Sequence, residues 1–121
     1  MTRLLAHTLP EGRNPANGRL DALKLAGVLG LDAREMARLL NRDPSGLRRN
    51  ADSKFLQDDL RVLEDISVRL RDLVGDWGYV RMWLRAPNPE LGGEAPLAYL
   101  ERHQPRVVQD FIAAIEQGQP T

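Results

Sequence analysis

From Phe55 to Val74 the apolar residues of this 121-residue chain recur at intervals of three and four: Phe55 or Leu56, Leu60, Leu63, Ile66, Leu70, then Leu73 or Val74. That period draws one apolar stripe along a helix of about five turns, and a stripe this long must be covered by other elements. The 55–74 segment is therefore expected to be the central helix. No segment alternates with period two for long enough to make a strand. The single Asn-Gly pair, at Asn17, precedes a helical segment instead of joining two alternating runs. The expected fold is all-α.

Shorter helices follow from caps and periods. Leu20, Leu23, Leu25, Ala26 and Leu29 keep approximately helical spacing, and Gly30 is placed to end that helix in a left-handed cap. Asp32 with Glu35 three residues later is a capping box, and Met36, Ala37 and Leu40 give the next helix a buried face. Asp43 followed by Pro44 starts a third. Gly75 closes the long helix, Asp76 caps another, and Tyr79, Val80, Trp83 and Leu84 form its apolar stripe. Pro96 opens a short helix containing Leu97, Tyr99 and Leu100. Pro105 opens the last, with Val107, Val108, Phe111, Ile112 and Ile115 on one face. Residues 7–18, "HTLPEGRNPANG", show no apolar period and read as extended or mobile.

Length and composition allow one domain, and there is no internal repeat at the spacing of solenoids. Nothing resembles a membrane span or a secretory leader, so a cytoplasmic protein is expected. The absence of cysteine removes disulfides, thiolate metal sites and a cysteine nucleophile. The formal charge of zero hides an asymmetry: residues 1–54 hold ten Lys and Arg against six Asp and Glu, residues 55–121 seven against eleven. A neutral total argues against a dedicated nucleic-acid coat, while two surfaces with different tasks, or a chance distribution of solvated charge, both fit the split.

Residues 33–51, "AREMARLLNRDPSGLRRNA", can be laid on a helix-turn-helix pattern. Ala37 is the small residue where two helices approach, Asn41 takes the left-handed turn position, and Leu47 anchors the second helix. The register puts Asn50 where an apolar residue is wanted. On this reading Ser45, Arg48, Arg49 and Lys54 line a DNA groove, with Asp43 facing the phosphates unfavourably. The alternative is a three-helix packing unit that keeps the geometry without touching DNA.

The most specified corner is "RMWLRAPNPELGGEAPLAYL". Pro87 and Pro89 forbid helix, Asn88 can bond back to the turn backbone, Gly92 and Gly93 admit positive φ, and Trp83 and Leu91 are the apolar pegs that pin the turn. Taken alone, this is architecture.

The same residues, Trp83-Leu84, Pro87-Asn88, Leu91-Gly92-Gly93 and Pro96-Leu97, resemble the signature of the toxin-binding domain of the Xre/MbcA/ParS antitoxin family. The resemblance extends over roughly residues 20–118, through a Cro-like helical region, a linking helix and an ending of the form "V...F...IEQG". It departs from the family where Glu94-Ala95 stands in place of a threonine before the proline, and where His103-Gln104-Pro105 replaces a small-residue turn. After a flexible segment 1–19, it implies a helix-turn-helix-like region 20–54 and a linking helix plus toxin-binding domain over 55–121.

The resemblance also implies an antitoxin with no enzymatic activity. Its partner would be a RES-domain toxin, whose fold resembles ADP-ribosyltransferases and which consumes NAD or uses it to modify a target. It would act as a homodimer or a hetero-oligomer with the toxin and would autoregulate its operon by binding operator DNA. The alternative is a free-standing helix-turn-helix regulator with a C-terminal dimerisation domain. An NAD pocket must bind a pyrophosphate, so a segment with excess negative charge suits it. The expected contact surface combines Asn88, Glu90, Leu91, Gly92 and Gly93 with Phe111, Ile115, Glu116 and the chain end after Gly118. Glu116 or the terminal carboxylate would pair with a toxin arginine, while Phe111 and Ile115 can instead belong to the core.

No cofactor, catalytic residue or metal site is expected. His7 and His103 stand almost a chain length apart and read as surface residues. Ser45, Ser53 and Ser67 lack a nucleophile-elbow context, and Asp58-Asp59 and Glu64-Asp65 read as a solvated helix face.

Overall fold

The computed structural model describes residues 8–118. Among them are seven α-helices and no strand: α1 (Ala22–Leu29), α2 (Ala33–Leu40), α3 (Pro44–Arg49), α4 (Gln57–Val74), α5 (Trp77–Arg85), α6 (Pro96–Glu101) and α7 (Pro105–Glu116). The protein is all-α. Among the described residues no helix is long and apolar enough to cross a membrane.

The boundaries follow from side chains that satisfy orphan N–H groups. Asp21 accepts from Leu23 and Lys24, Asp43 from Gly46 and Asp76 from Tyr79, while Asp32 and Glu35 form the reciprocal capping box at α2. The helix predicted from Leu20 begins two residues later because Asp21 caps it, and Leu20 is fully buried just before the cap. Gly30 ends α1 at φ 71°, and Asn41 ends α2 at φ 55°, the left-handed position assigned to it. Gly75 stops α4.

α4 is the central helix. Leu60, Leu63, Ile66, Val68 and Leu70 are buried, and so are the polar Glu64 and Ser67. A helix buried on Glu64 as well as on its apolar stripe is enclosed on more than one side, so Glu64 is not part of a solvated face. Of the ambiguous pair Phe55 and Leu56, Leu56 enters the core and Phe55 is 77% exposed. α7 packs along α4 through Val108 and Ile112, both fully buried, while α1 also contacts α4, α2 packs on α1, and Leu25, Leu29, Met36 and Leu40 join the same core. Tyr79, predicted in the apolar stripe of α5, instead points outward and is 57% exposed, leaving Val80 and Leu84 to face the core.

Residues 8–19 differ from the extended or mobile segment predicted, because polar contacts do there what an apolar period does elsewhere. Leu9 is fully buried, and its N–H donates to Glu64 Oε2 at 2.7 Å. The Arg13 guanidinium also donates to the Glu64 carboxylate, at 2.9 Å to each oxygen. Asn14 and Asn17 both donate to Asp52. His7 lies outside the described residues.

Candidate functional site

The C-terminal half presents two surfaces of different character. The first is apolar. α5 leaves the end of α4 at Gly75 and turns Val80 and Leu84 inward, which puts Tyr79 and Met82 on the opposite side, 57% and 66% exposed. Trp83 lies between the two faces, half-buried, and stacks on Phe111 of α7 with ring centroids 5.8 Å apart and planes 14° from parallel. Val74, Tyr79, Met82, Trp83 and Ala86 line an open depression of about 330 Å³ that is almost wholly apolar. Ile115, one turn beyond Phe111 on α7, is 43% exposed. Exposed large side chains that cluster in one concave area mark an interaction site more than singly scattered ones do.

The second surface is the corner between α5 and α6. The Asn88 carbonyl accepts from both Leu91 and Gly93, its N–H donates to the Glu94 carbonyl, and its side chain accepts from the Glu90 N–H. Gly92 and Gly93 both have positive φ, 68° and 81°, as this double turn requires. Leu91 is buried, and the Tyr99 hydroxyl donates to its carbonyl at 2.9 Å. Glu94 pairs with Arg102, whose hydrogen bond holds that carboxyl below the ordinary range. The turn is locked by its own backbone. Glu90, Gly92 and Gly93 stand exposed at its tip.

α5 also grips the N-terminal half. Arg81 Nε donates to the Val28 carbonyl, and its side chain passes so close to Gly30 that a Cβ there would stand 3.0 Å from Arg81 Cδ. Arg85 donates to the Gly30 carbonyl at 2.8 Å and takes the Glu35 carboxylate with both terminal nitrogens at 2.9 Å. Two arginines thus cap the last carbonyls of α1, where cations are favoured. From α6, Glu101 pairs with Arg38, and His103 Nε2 lies 2.8 Å from the Arg38 carbonyl.

Residues 69–118 match the family model described as the antitoxin Xre/MbcA/ParS C-terminal toxin-binding domain. Over these residues, less than half of its length, the chain is similar to that toxin-binding domain. No curated protein and no solved structure matches the chain. The match supports an antitoxin role with a toxin as partner, and it covers α5, the locked corner, α6, α7 and the last turn and a half of α4.

Within the matched segment the predicted residues fall into separate places. Phe111 meets the α5 depression through Trp83, and Ile115 stands exposed one turn further along α7. Asn88, Glu90, Leu91, Gly92 and Gly93 make the corner, with Asn88 and Leu91 engaged inside the turn. The Glu116 carboxylate is taken by Arg69 at 2.6 Å, and Arg69 holds Asp65 as well. Glu116 therefore ties α7 to α4. The chain end beyond Gly118 lies outside the described residues. Of the signature residues, Leu84, Pro96 and Leu97 are buried, Trp83 is half-buried and Pro87 is exposed. Sequence reasoning missed Tyr79 as a surface residue because it sits on an apolar helical period that reads as core, and it gave Met82 no role. The one available signal was the excess of apolar residues on a helix of only nine positions.

In the N-terminal half, Ser45, Arg48, Arg49 and Lys54 are all exposed. Ser45 and Arg48 line an open hollow of about 420 Å³ together with Arg34, Arg38, Arg42 and Asp43. Arg49 and Lys54 lie elsewhere, and the Lys54 ammonium sits 5.4 Å from the centroid of the Phe55 ring.

Proposed function

We propose that this protein is the antitoxin of a type II toxin–antitoxin pair. It binds a RES-domain toxin through the apolar depression of α5 and the adjoining face of α7, and occludes the toxin's NAD site. The observation that carries this reading is the exposed Tyr79 and Met82 clustered with the half-buried Trp83, inside the segment that matches a toxin-binding domain. Buried aromatic and methionine anchors are what protein interfaces use at their centres. The exposed Glu90 at the corner adds negative charge beside a partner that must bind a pyrophosphate. The protein acts by occupancy, without catalysis of its own, in the cytoplasm, as a homodimer or as a hetero-oligomer with the toxin.

The same reading includes repression of its own operon through α2, α3 and the turn between them. Its support is the tight connection from Asn41 to Asp43, the buried Ala37 and Leu47 that hold the two helices together, and the exposed Ser45 and Arg48.

Co-expression with a RES-domain toxin tests the reading. Met82→Asp and Ile115→Asp both change exposed positions, so the protein still folds, and each is expected to lose toxin capture by about tenfold or more. The double substitution should abolish protection. Full protection by the double variant would remove the assigned surface. Duplex binding by a protein that captures no toxin would leave the free-standing regulator. Deleting residues 111–121 is a poorer test, because it also removes the fully buried Ile112.

A further inference from the structure

We infer that Arg34 and Arg48 clamp the phosphate backbone of duplex DNA across the hollow between α2 and α3; this rests on the operator-binding reading above and names the side chains that carry it. The hollow is lined by four arginines, Arg34, Arg38, Arg42 and Arg48, against one acid, Asp43. Their availability differs. The Arg38 guanidinium is paired with Glu101, and Arg42 leans on the carbonyls of Leu40 and Asn41. Asp43 is committed to the Gly46 N–H, as the cap of α3. Arg34 and Arg48 have no ion pair and no hydrogen bond among the described residues. Two unpaired guanidinium groups from different helices therefore share one concave surface.

The neighbouring acids are withdrawn in the same way. Asp21, Asp32 and Asp43 cap helices, Glu35 is held by Arg85, and Asp52 is held by Asn14 and Asn17. A capping carboxylate keeps its charge, but the positive end of its own helix offsets it. The unpaired charge left around the hollow is positive. An opening of about 420 Å³ with arginines on separate walls suits successive phosphates of a polymer better than one small anion. No aromatic side chain lines it, so it offers guanidinium and hydroxyl groups and no stacking platform. Single-stranded nucleic acid is held chiefly by such platforms, and duplex backbone is not.

The inference divides the cationic residues of this region. Arg34 and Arg48 position the duplex, whereas Arg49 and Lys54, outside the hollow, contribute less to the phosphate contacts.

The test uses the full chain and a fluorescein-labelled duplex from immediately upstream of its own reading frame, with a scrambled duplex beside it, titrated by anisotropy over a series of salt concentrations. The Arg34→Ala/Arg48→Ala variant should bind both duplexes about tenfold or more weakly, with the log–log salt slope shallower by about two. Arg34→Lys/Arg48→Lys should recover most of the slope, and Arg49→Ala/Lys54→Ala should stay closer to the unmodified protein. Because all four positions are exposed, thermal midpoints should agree and toxin capture should be unchanged. If the unmodified protein binds the duplex but the Arg34/Arg48 variant keeps its slope, or loses no more than the Arg49/Lys54 variant, the clamp is wrong and the operator reading stands. Absence of binding to any duplex at low salt overturns both. Equal affinity for a single-stranded oligonucleotide or for polyglutamate overturns the duplex assignment.

Discussion

Trp83 and Phe111 stack at 5.8 Å between ring centroids, and this pair joins α5, which carries the apolar depression, to α7, which carries Ile115. The two helices are separated in sequence by the locked corner and α6. The ring contact therefore decides whether the exposed residues of both helices form one surface.

A double-mutant cycle measures that contact. Trp83→Ala and Phe111→Ala should each destabilise the protein by about 2 to 3 kcal/mol, less than a fully buried aromatic because both rings are partly exposed. The coupling between them should be about 0.5 to 1.5 kcal/mol by urea unfolding. Strict additivity would mean that the rings touch without holding the helices together.

Glu64 is the buried carboxylate of α4, 5% exposed, with Arg13 and the Leu9 N–H as its partners. Arg13→Ala leaves that charge enclosed with one backbone donor and should cost about 2 to 4 kcal/mol. Pairing Arg13→Ala with Glu64→Leu should recover much of the loss, since the uncompensated charge goes too. Amide exchange at Leu9 should rise in the single variant.

The contact between Arg85 and Glu35 makes stability depend on acid. Hydrogen bonds from Arg85, and then the Asp32 N–H, hold Glu35 below its ordinary value of 4.5 against the opposing effect of burial. A carboxyl lowered by folding takes up its proton more readily in the unfolded chain. The stabilisation is thus complete above about pH 4.5 and is lost as pH falls through the folded value. With Arg85 side chain 46% exposed, solvent screening keeps the effect to about 0.5 to 1 kcal/mol. Glu35→Gln should be less stable near neutral pH by that amount, and its urea midpoint should converge on that of the unmodified protein in acid.

Gly30 is constrained twice, by φ 71° and by the Arg81 side chain 3.0 Å from where a Cβ would stand. Gly30→Ala should lower stability by about 1 to 2 kcal/mol and loosen the bond from Arg81 to the Val28 carbonyl. If the Arg81 side chain simply swings aside, only the left-handed backbone contributes, and the loss should fall to about 1 kcal/mol. Thermal unfolding of Gly30→Ala with and without Arg81→Ala separates the two.

What the sequence by itself determined is local. Caps at Asp32, Asp43 and Asp76, stops at Gly30, Asn41 and Gly75, and the three-and-four period of α4 depend on neighbours within a turn or two, so chain order contains them. The corner was legible for the same reason: Asn88, Leu91, Gly93 and Glu94 satisfy one another's backbone groups within seven residues. Tertiary structure alone decided which apolar residues stay outside. Tyr79 and Met82 carry the same hydrophobic signal as Val80 and Leu84, and only the packing of α5 against α4 and α1 turned the first pair to solvent. It also paired Glu116 with Arg69, built residues 8–19 onto Glu64, and put Arg34 and Arg48 on one hollow. Each of these depends on a partner many residues away, and periodicity along a chain has no information about which distant side chain will be met.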